Sequence, residues 1–251
     1  MLVQNKHRIT GTVETRVSTQ TSKKIPTRPI IYREELKWLQ QFDPNKRILR
    51  GKDYERAKRL LDLIVVAIAL PFWLPWMVLL ILLLKLSDPK APVFFIQERT
   101  GKAGRRFKMY KFRTMVPNAE ELKHQLRHLN ELQWPDFKIT NDPRVTRLGR
   151  ILRKTSLDEL PQILNVIKGD MSLVGPRPTS FAPHTYNRWH TERLDVTPGL
   201  TGLWQIIGRG SSEFDERVRL DVAYIERRCL WLDIHIMVRT VLAVFQQRGA
   251  Y

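Results

Sequence analysis

Apolar and polar positions divide the chain into three stretches. Residues 1–50 are polar and rich in Thr, Gln and Lys; the first 30 have the composition of a disordered tail, and residues 33–42 are expected to form one short helix. Residues 51–86 hold a run of 22 uncharged, almost wholly apolar positions, 63–84, long enough as a helix to cross a bilayer core. A soluble core helix of that length would show polar positions every turn, and this run shows none, so it reads as membrane-embedded. Pro71 and Pro75 lie in its middle, where each removes a backbone donor and crowds the preceding turn, so a bend is expected. Both flanks are basic, with Lys52, Arg56, Lys58 and Arg59 before the run and Lys85 and Lys90 after it. A helix that bends at the prolines and returns to the same face satisfies the positive-inside rule at both ends, and a kinked single span is the alternative.

From residue 87 to 251 the pattern changes to that of one globular domain of mixed structure. Residues 93–97 and 107–112 read as short strands joined through Gly101 and Gly104, a hairpin. Residues 118–133 read as a charged, solvated helix. Asp142-Pro143 supplies a cap and a first-turn proline for a helix through Lys154. Another is expected from Asp158 to Lys168, ended by Gly169, and two more over 213–228 and 232–247. The last carries Ile234, Met237, Val238, Val241, Leu242 and Phe245 at helical spacing, a stripe suited to core packing or to a membrane interface. The fold class expected is therefore α+β, mainly helical: a membrane helix followed by a globular domain with a small β-hairpin and amphipathic helices.

Charge narrows the partners. A formal net charge of +18 favours anionic ones: nucleic acid, an acidic membrane surface or phosphorylated substrates. A nucleic-acid role lacks a reading helix or RNP motif, and the absence of Walker and GxGxxG loops leaves P-loop and Rossmann nucleotide binding without support. Cys229 is the only cysteine, so no internal disulfide forms. His124 and His128, four apart, lack the glutamate of a zinc helix and read as a solvated face.

The candidate chemistry lies in Leu157-Asp158-Glu159-Leu160-Pro161. With Ser156 as helix cap, Glu159 completes a capping box but Pro161 forfeits a hydrogen bond. With Asp158 as cap, Pro161 falls where no donor is needed, and the carboxylate sits at the positive end of the helix dipole. Leu160, Ile163, Leu164 and Ile167 would then be the buried face. An ionised aspartate near cations is a nucleophile toward phosphorus or a Mg²⁺ ligand, and otherwise a plain cap. Cations are supplied by three elements: Arg99, Lys102, Arg105, Arg106, Lys108, Lys111 and Arg113; Arg144, Arg147, Arg150, Arg153 and Lys154; and Arg177 in a proline-rich loop. Most of these belong to solvated or membrane-facing surface, and a few are expected to face the carboxylates. The segment 198–210, with Gly199, Gly202, Gly208 and Gly210, reads as a loop of close backbone approach, in which Trp204 anchors the loop or stacks on a base.

The motifs Lys58-Arg59-Leu-Leu-Asp62, Tyr110-Lys-Phe-Arg-Thr-Met115, Asp142-Pro-Arg144, Ser156-Leu-Asp-Glu-Leu-Pro-Gln162, Gly169-Asp-Met-Ser-Leu-Val-Gly-Pro-Arg-Pro178, Pro198-Gly-Leu-Thr-Gly202 and Arg248-Gly-Ala-Tyr251, in this order, resemble the bacterial sugar transferase family, the monotopic polyprenyl-phosphate hexose-1-phosphate transferases, in its minimal form. The resemblance implies transfer of a sugar-1-phosphate from a UDP-sugar to a polyprenyl phosphate, undecaprenyl phosphate by default. Transfer passes through a sugar-phosphoryl aspartate and releases UMP, with Mg²⁺ assisting. It implies Asp158 as nucleophile, Glu159 as its partner, both near the metal, Arg153 and Arg177 beside phosphates, and Lys111 and Arg113 as further phosphate contacts. It also implies a re-entrant helix broken at Pro75, here preceded by Leu74 where the family often has Ser. The catalytic domain is then on the cytoplasmic face of the bacterial inner membrane. Nucleic acid is not an expected partner, and a homo-oligomer is compatible with the reading. An inactive membrane-anchored scaffold is the rival.

Overall fold

A computed structural model of the chain describes residues 34–131, 137, 139–186, 188–207 and 214–245. The expected tail over residues 1–30, Gly208, Gly210 and the closing motif at 248–251 lie outside them. Before the long apolar run, a 3-10 turn, Glu34–Gln41, and Phe42 bring Leu36, Leu39 and Phe42 into the core, where they pack with Val174, Leu203, Leu220, Leu232 and Ile236.

The apolar run forms one helix, α1, Gly51–Ser87, which is long and apolar enough to cross a membrane. Both prolines lie inside it. Between their turns the Trp73 indole donates to the Val66 carbonyl at 3.0 Å, an extra hydrogen bond seven residues back in a segment that the prolines leave short of donors. One face of α1 rests on the globular body along its length: Tyr54 and Asp62, then Val66, then Met77, Leu80 and Leu84 are buried. The opposite face is exposed and apolar, with Leu60, Ile64, Ile68, Phe72 and Trp76. Exposed apolar area on this scale marks a surface made for something other than water.

The hairpin forms as expected. Strands β1, Phe94–Thr100, and β2, Arg106–Phe112, pair antiparallel from Phe94↔Phe112 to Thr100↔Arg106, and Gly104 takes a positive φ in the turn. After β2 the charged helix is shorter than its polarity suggested: α2 spans Ala119–Gln125, and a 3-10 turn, Arg127–Leu129, ends it. Helix α3, Arg147–Lys154, starts later than the Asp142-Pro143 signal. The cap is Thr146, whose hydroxyl accepts from Gly149 N, whereas the Asp142 carboxylate is taken by Arg144 two residues on. Gly149 is a close-approach glycine: a Cβ there would lie 2.0 Å from the Thr114 carbonyl oxygen.

Two further differences concern the centre of the chain. Asp158 caps no helix: residues Leu157–Glu159 form a 3-10 turn, and α4 begins later, Gln162–Lys168, closed by Gly169 at φ 87°. The buried face of α4 is Gln162, Ile163, Asn165 and Val166, while Ile167 is exposed. The rotation follows from Asn165, whose amide accepts from Tyr110 N at 3.1 Å and donates to the Lys108 carbonyl at 2.7 Å. A buried amide that satisfies the open edge of β2 outweighs the apolar stripe.

The proline-rich and glycine-rich segments, read as loops, contribute a small parallel pair: β3, Ser172–Val174, beside β4, Gly199–Thr201. Helices α5, Leu203–Ile207, α6, Phe214–Arg227, and α7, Leu230–Phe245, complete the fold. On α7 the inward face is Leu232, Asp233 and Ile236, and Trp231, Val238, Val241 and Leu242 are exposed. Part of the apolar stripe thus stays outside the core.

Candidate active site

Four segments meet at one point: the end of β2, the last turn of α3, the 3-10 turn at Leu157–Glu159 and the loop after β3. The chain reaches the acidic pair through Ser156, a non-glycine residue at φ 58°, which ends α3 in a left-handed turn. That turn faces Glu159 toward β2 and the loop. Lys111 Nζ lies 2.8 Å from Glu159 Oε1. The Arg177 guanidinium grips the same carboxylate at both oxygens, through Nη1 at 3.0 Å and through Nη2. Burial alone would raise Glu159, but Arg177 and Lys111 together hold it well below the usual carboxylate range.

Asp158 is its opposite. Among the described residues its carboxylate has no hydrogen bond and no ion pair. Burial pushes it above its ordinary value, Lys111 opposes that most strongly, Glu159 adds to it, and Arg153 and Arg177 pull it back down. Arg153 donates from Nε to Thr114 Oγ1 at 3.0 Å, which fixes it beside Asp158. Arg99 is the additional cation: burial, with Arg177 next to it, lowers it to about 10. Only its place in the first basic run pointed to it.

Of the sequence-derived site residues, the fold brings Asp158, Glu159, Lys111, Arg153 and Arg177 together. Arg113 is directed elsewhere: it pairs with Asp88 at 3.3 Å and donates to the Leu84 carbonyl at 3.4 Å, tying the hairpin to the end of α1. The remaining cations of the basic runs are spread over the surface, with Lys102 on Glu55, Arg105 on Asp170 and Arg106 on Glu98, while Arg144 is buried on Asp142. Pro75 lies within α1. Thr114 and Asn165, which position Arg153 and β2, carried no signal of their own in the sequence.

A half-buried, uncommitted carboxylate flanked by Lys111, Arg153 and Arg177 can attack an electrophilic centre whose own negative charge the cations offset. No group of three or more His, Cys, Asp or Glu side chains converges among the described residues. Mg²⁺ is commonly held by one or two carboxylates with waters and substrate phosphates, and Asp158 has oxygens to give while those of Glu159 are occupied. The donor set fits an ion shared with a phosphorylated ligand.

Comparison with known proteins supplies relatives. The family described as bacterial sugar transferase matches residues 53–247. Over 196 residues the chain is 44% identical to the galactosyl transferase CpsE of Streptococcus agalactiae, covering 77% of this chain and 43% of that protein. It is 41% identical over 204 residues to the UDP-glucose:undecaprenyl-phosphate glucose-1-phosphate transferase of Xanthomonas campestris, covering 78% of this chain and 40% of the relative. The exopolysaccharide production protein ExoY of Rhizobium meliloti is 40% identical over 200 residues, 78% of this chain and 88% of its own length. Against the first two, the chain spans about two fifths of the relative's length.

Proposed function

The chain belongs to the bacterial sugar transferase family, and on that footing we propose that it moves a sugar-1-phosphate from a UDP-sugar to undecaprenyl phosphate. The observation that carries the reading is the uncommitted Asp158 carboxylate beside Lys111, Arg153 and Arg177. A relative named as a UDP-glucose:undecaprenyl-phosphate glucose-1-phosphate transferase supports the choice of donor and acceptor.

Two displacements at the same phosphorus make up the reaction. An Asp158 oxygen attacks the β-phosphorus of the donor, the bond from that phosphorus to the bridging oxygen breaks, and UMP leaves with the electron pair. The acceptor's phosphate oxygen then attacks the phosphoryl-aspartate, and the Asp158 carboxylate departs unchanged. Lys111, Arg153 and Arg177 offset the charge on the phosphate, which would otherwise repel an anionic nucleophile. Glu159, ionised and gripped at both oxygens, keeps Lys111 and Arg177 at the site. Asp158 and Glu159 would be the residues to hold Mg²⁺, which would supply Lewis-acid stabilisation of the leaving phosphate.

A lipid acceptor requires the site to lie at the bilayer surface. Support for a re-entrant α1, bent around Pro71 and Pro75, comes from its two ends. Tyr54 and Leu84 both rest on the same globular body, yet in a straight helix they would be about 45 Å apart. A spanning helix would put them on opposite sides of a hydrocarbon core about 30 Å thick. Basic residues on both flanks favour the cytoplasmic side of the inner membrane, and the exposed face of α7 suits the interface.

The test is UMP release by the purified full chain with undecaprenyl phosphate and a panel of UDP-glucose, UDP-galactose and their N-acetylamino counterparts. One donor should support lipid-dependent release that D158N abolishes. Release from none of them would leave the scaffold reading in its place.

A further inference from the structure

Arg177 is held in place from behind. It lies between Pro176 and Pro178, so neither neighbour offers a backbone N–H, and the chain has already left β3. What fixes this stretch is a set of donors to four successive carbonyls. Gly199 N donates to Pro176 O at 2.9 Å, Arg193 Nη2 to Arg177 O at 2.7 Å, Arg99 Nη1 to Pro178 O at 3.4 Å, and Thr100 N to Thr179 O at 2.9 Å. Among the described residues, Arg193 alone reaches the carbonyl of the residue whose guanidinium clamps Glu159.

Arg193 lies in the 3-10 turn Arg188–Leu194, and its guanidinium stands over the Phe214 ring with the centroid 5.6 Å away. The same Nη2 lies 2.7 Å from Asp221 Oδ2 on α6, and both side chains are buried, 4% and 1% exposed. Burying such a pair is costly, and apolar residues of similar volume are often equally stable there, so stability alone is a weak reason for it. Its geometry gives a better one, since it forms a strut from α6 to the Arg177 backbone.

Building on the transferase reading, we propose that Arg193, held by Asp221, is a positioning residue. It fixes the Arg177 carbonyl so that the Arg177 side chain stays on Glu159 and beside the donor phosphate. The effect on turnover passes through Arg177 alone.

Full-length R193M/D221L, assayed by single-turnover UMP release with the best UDP-sugar of the panel, should keep its thermal midpoint within a few degrees while the rate falls by roughly ten- to a hundredfold. The same pair introduced into R177A should slow that variant less than twofold, because the residue it acts through is gone. D221N, which conserves volume, is the second variant, with a smaller loss and the same absence of effect in R177A. A stable R193M/D221L or D221N enzyme with wild-type turnover overturns the proposal, and so does a loss that multiplies in full on the R177A background. A wild-type chain that releases no UMP from any donor refutes the transferase reading itself, a different failure.

Discussion

Asp158 and Asp233 are both aspartates set among cations, and their carboxylates are in opposite circumstances. Asp233, 1% exposed, accepts from the Tyr54 hydroxyl at 2.8 Å and the Tyr224 hydroxyl at 2.7 Å, and lies 3.0 Å from Lys58 Nζ. Two hydroxyl donors and the Lys58 ammonium, from α1 and α6, converge on one acid of α7, which ties α1 to the body. Asp158 has cations nearby and no bond to any of them. An acid whose oxygens are engaged holds structure together, whereas one kept half-buried and uncommitted stores reactivity at some expense in stability.

The same change, Asp to Asn, should therefore act in opposite directions at the two positions. D158N should reduce turnover by about a thousandfold or more, the scale of losing a nucleophile, and leave the thermal midpoint equal or higher, because it removes a half-buried unpaired charge. D233N should leave the largely covered Lys58 against a neutral group and cost about 3 kcal/mol of stability, read as a lower midpoint and detachment of α1 in hydrogen exchange. E159Q sharpens the contrast inside the site: loss of the charge that gathers Lys111 and Arg177 should lower kcat about a hundredfold, measured by UMP release.

Acid pH gives a smaller effect with a definite sign. Burial raises Asp158 above its ordinary value, so the native state holds this proton more tightly than the unfolded chain. Stability contributed by that protonation is present at low pH and is lost as pH rises from the ordinary aspartate value through the raised one. Activity runs the other way, with kcat/KM falling as pH drops through the raised value because the nucleophile protonates. Glu159, held low, contributes stability above its ordinary value that is lost only well into acid. A pH–rate profile with its acid limb above the ordinary aspartate value checks this, and D158N should flatten the matching stability change. The smallest effect is R113M, which should alter kcat/KM by less than about threefold, since Arg113 is engaged by Asp88 and Leu84.

The same contrast explains what the sequence made legible. The long apolar helix was readable because 22 uncharged positions leave no polar face, and the hairpin because alternation and two glycines are local signals. The acidic pair was readable through motif resemblance. The Asp142 signal misled because a carboxylate can cap a helix or bind the arginine two residues on, and only packing around Arg144, which also donates to the Ala119 carbonyl, decides. Strands β3 and β4 are three residues each, too short for any period to show. The orientation of α4 depends on Asn165 meeting β2, a contact 55 residues away in the chain that no local pattern encodes. The Arg193–Asp221 strut is hidden in the same way.

The most direct measurement is mass spectrometry of the full chain mixed with its UDP-sugar donor and no acceptor lipid. A sugar-phosphate adduct should appear on the peptide carrying Asp158, be absent from D158N, and disappear when undecaprenyl phosphate is added. Single-turnover formation of lipid-linked sugar with no adduct at any time would contradict covalent transfer through Asp158.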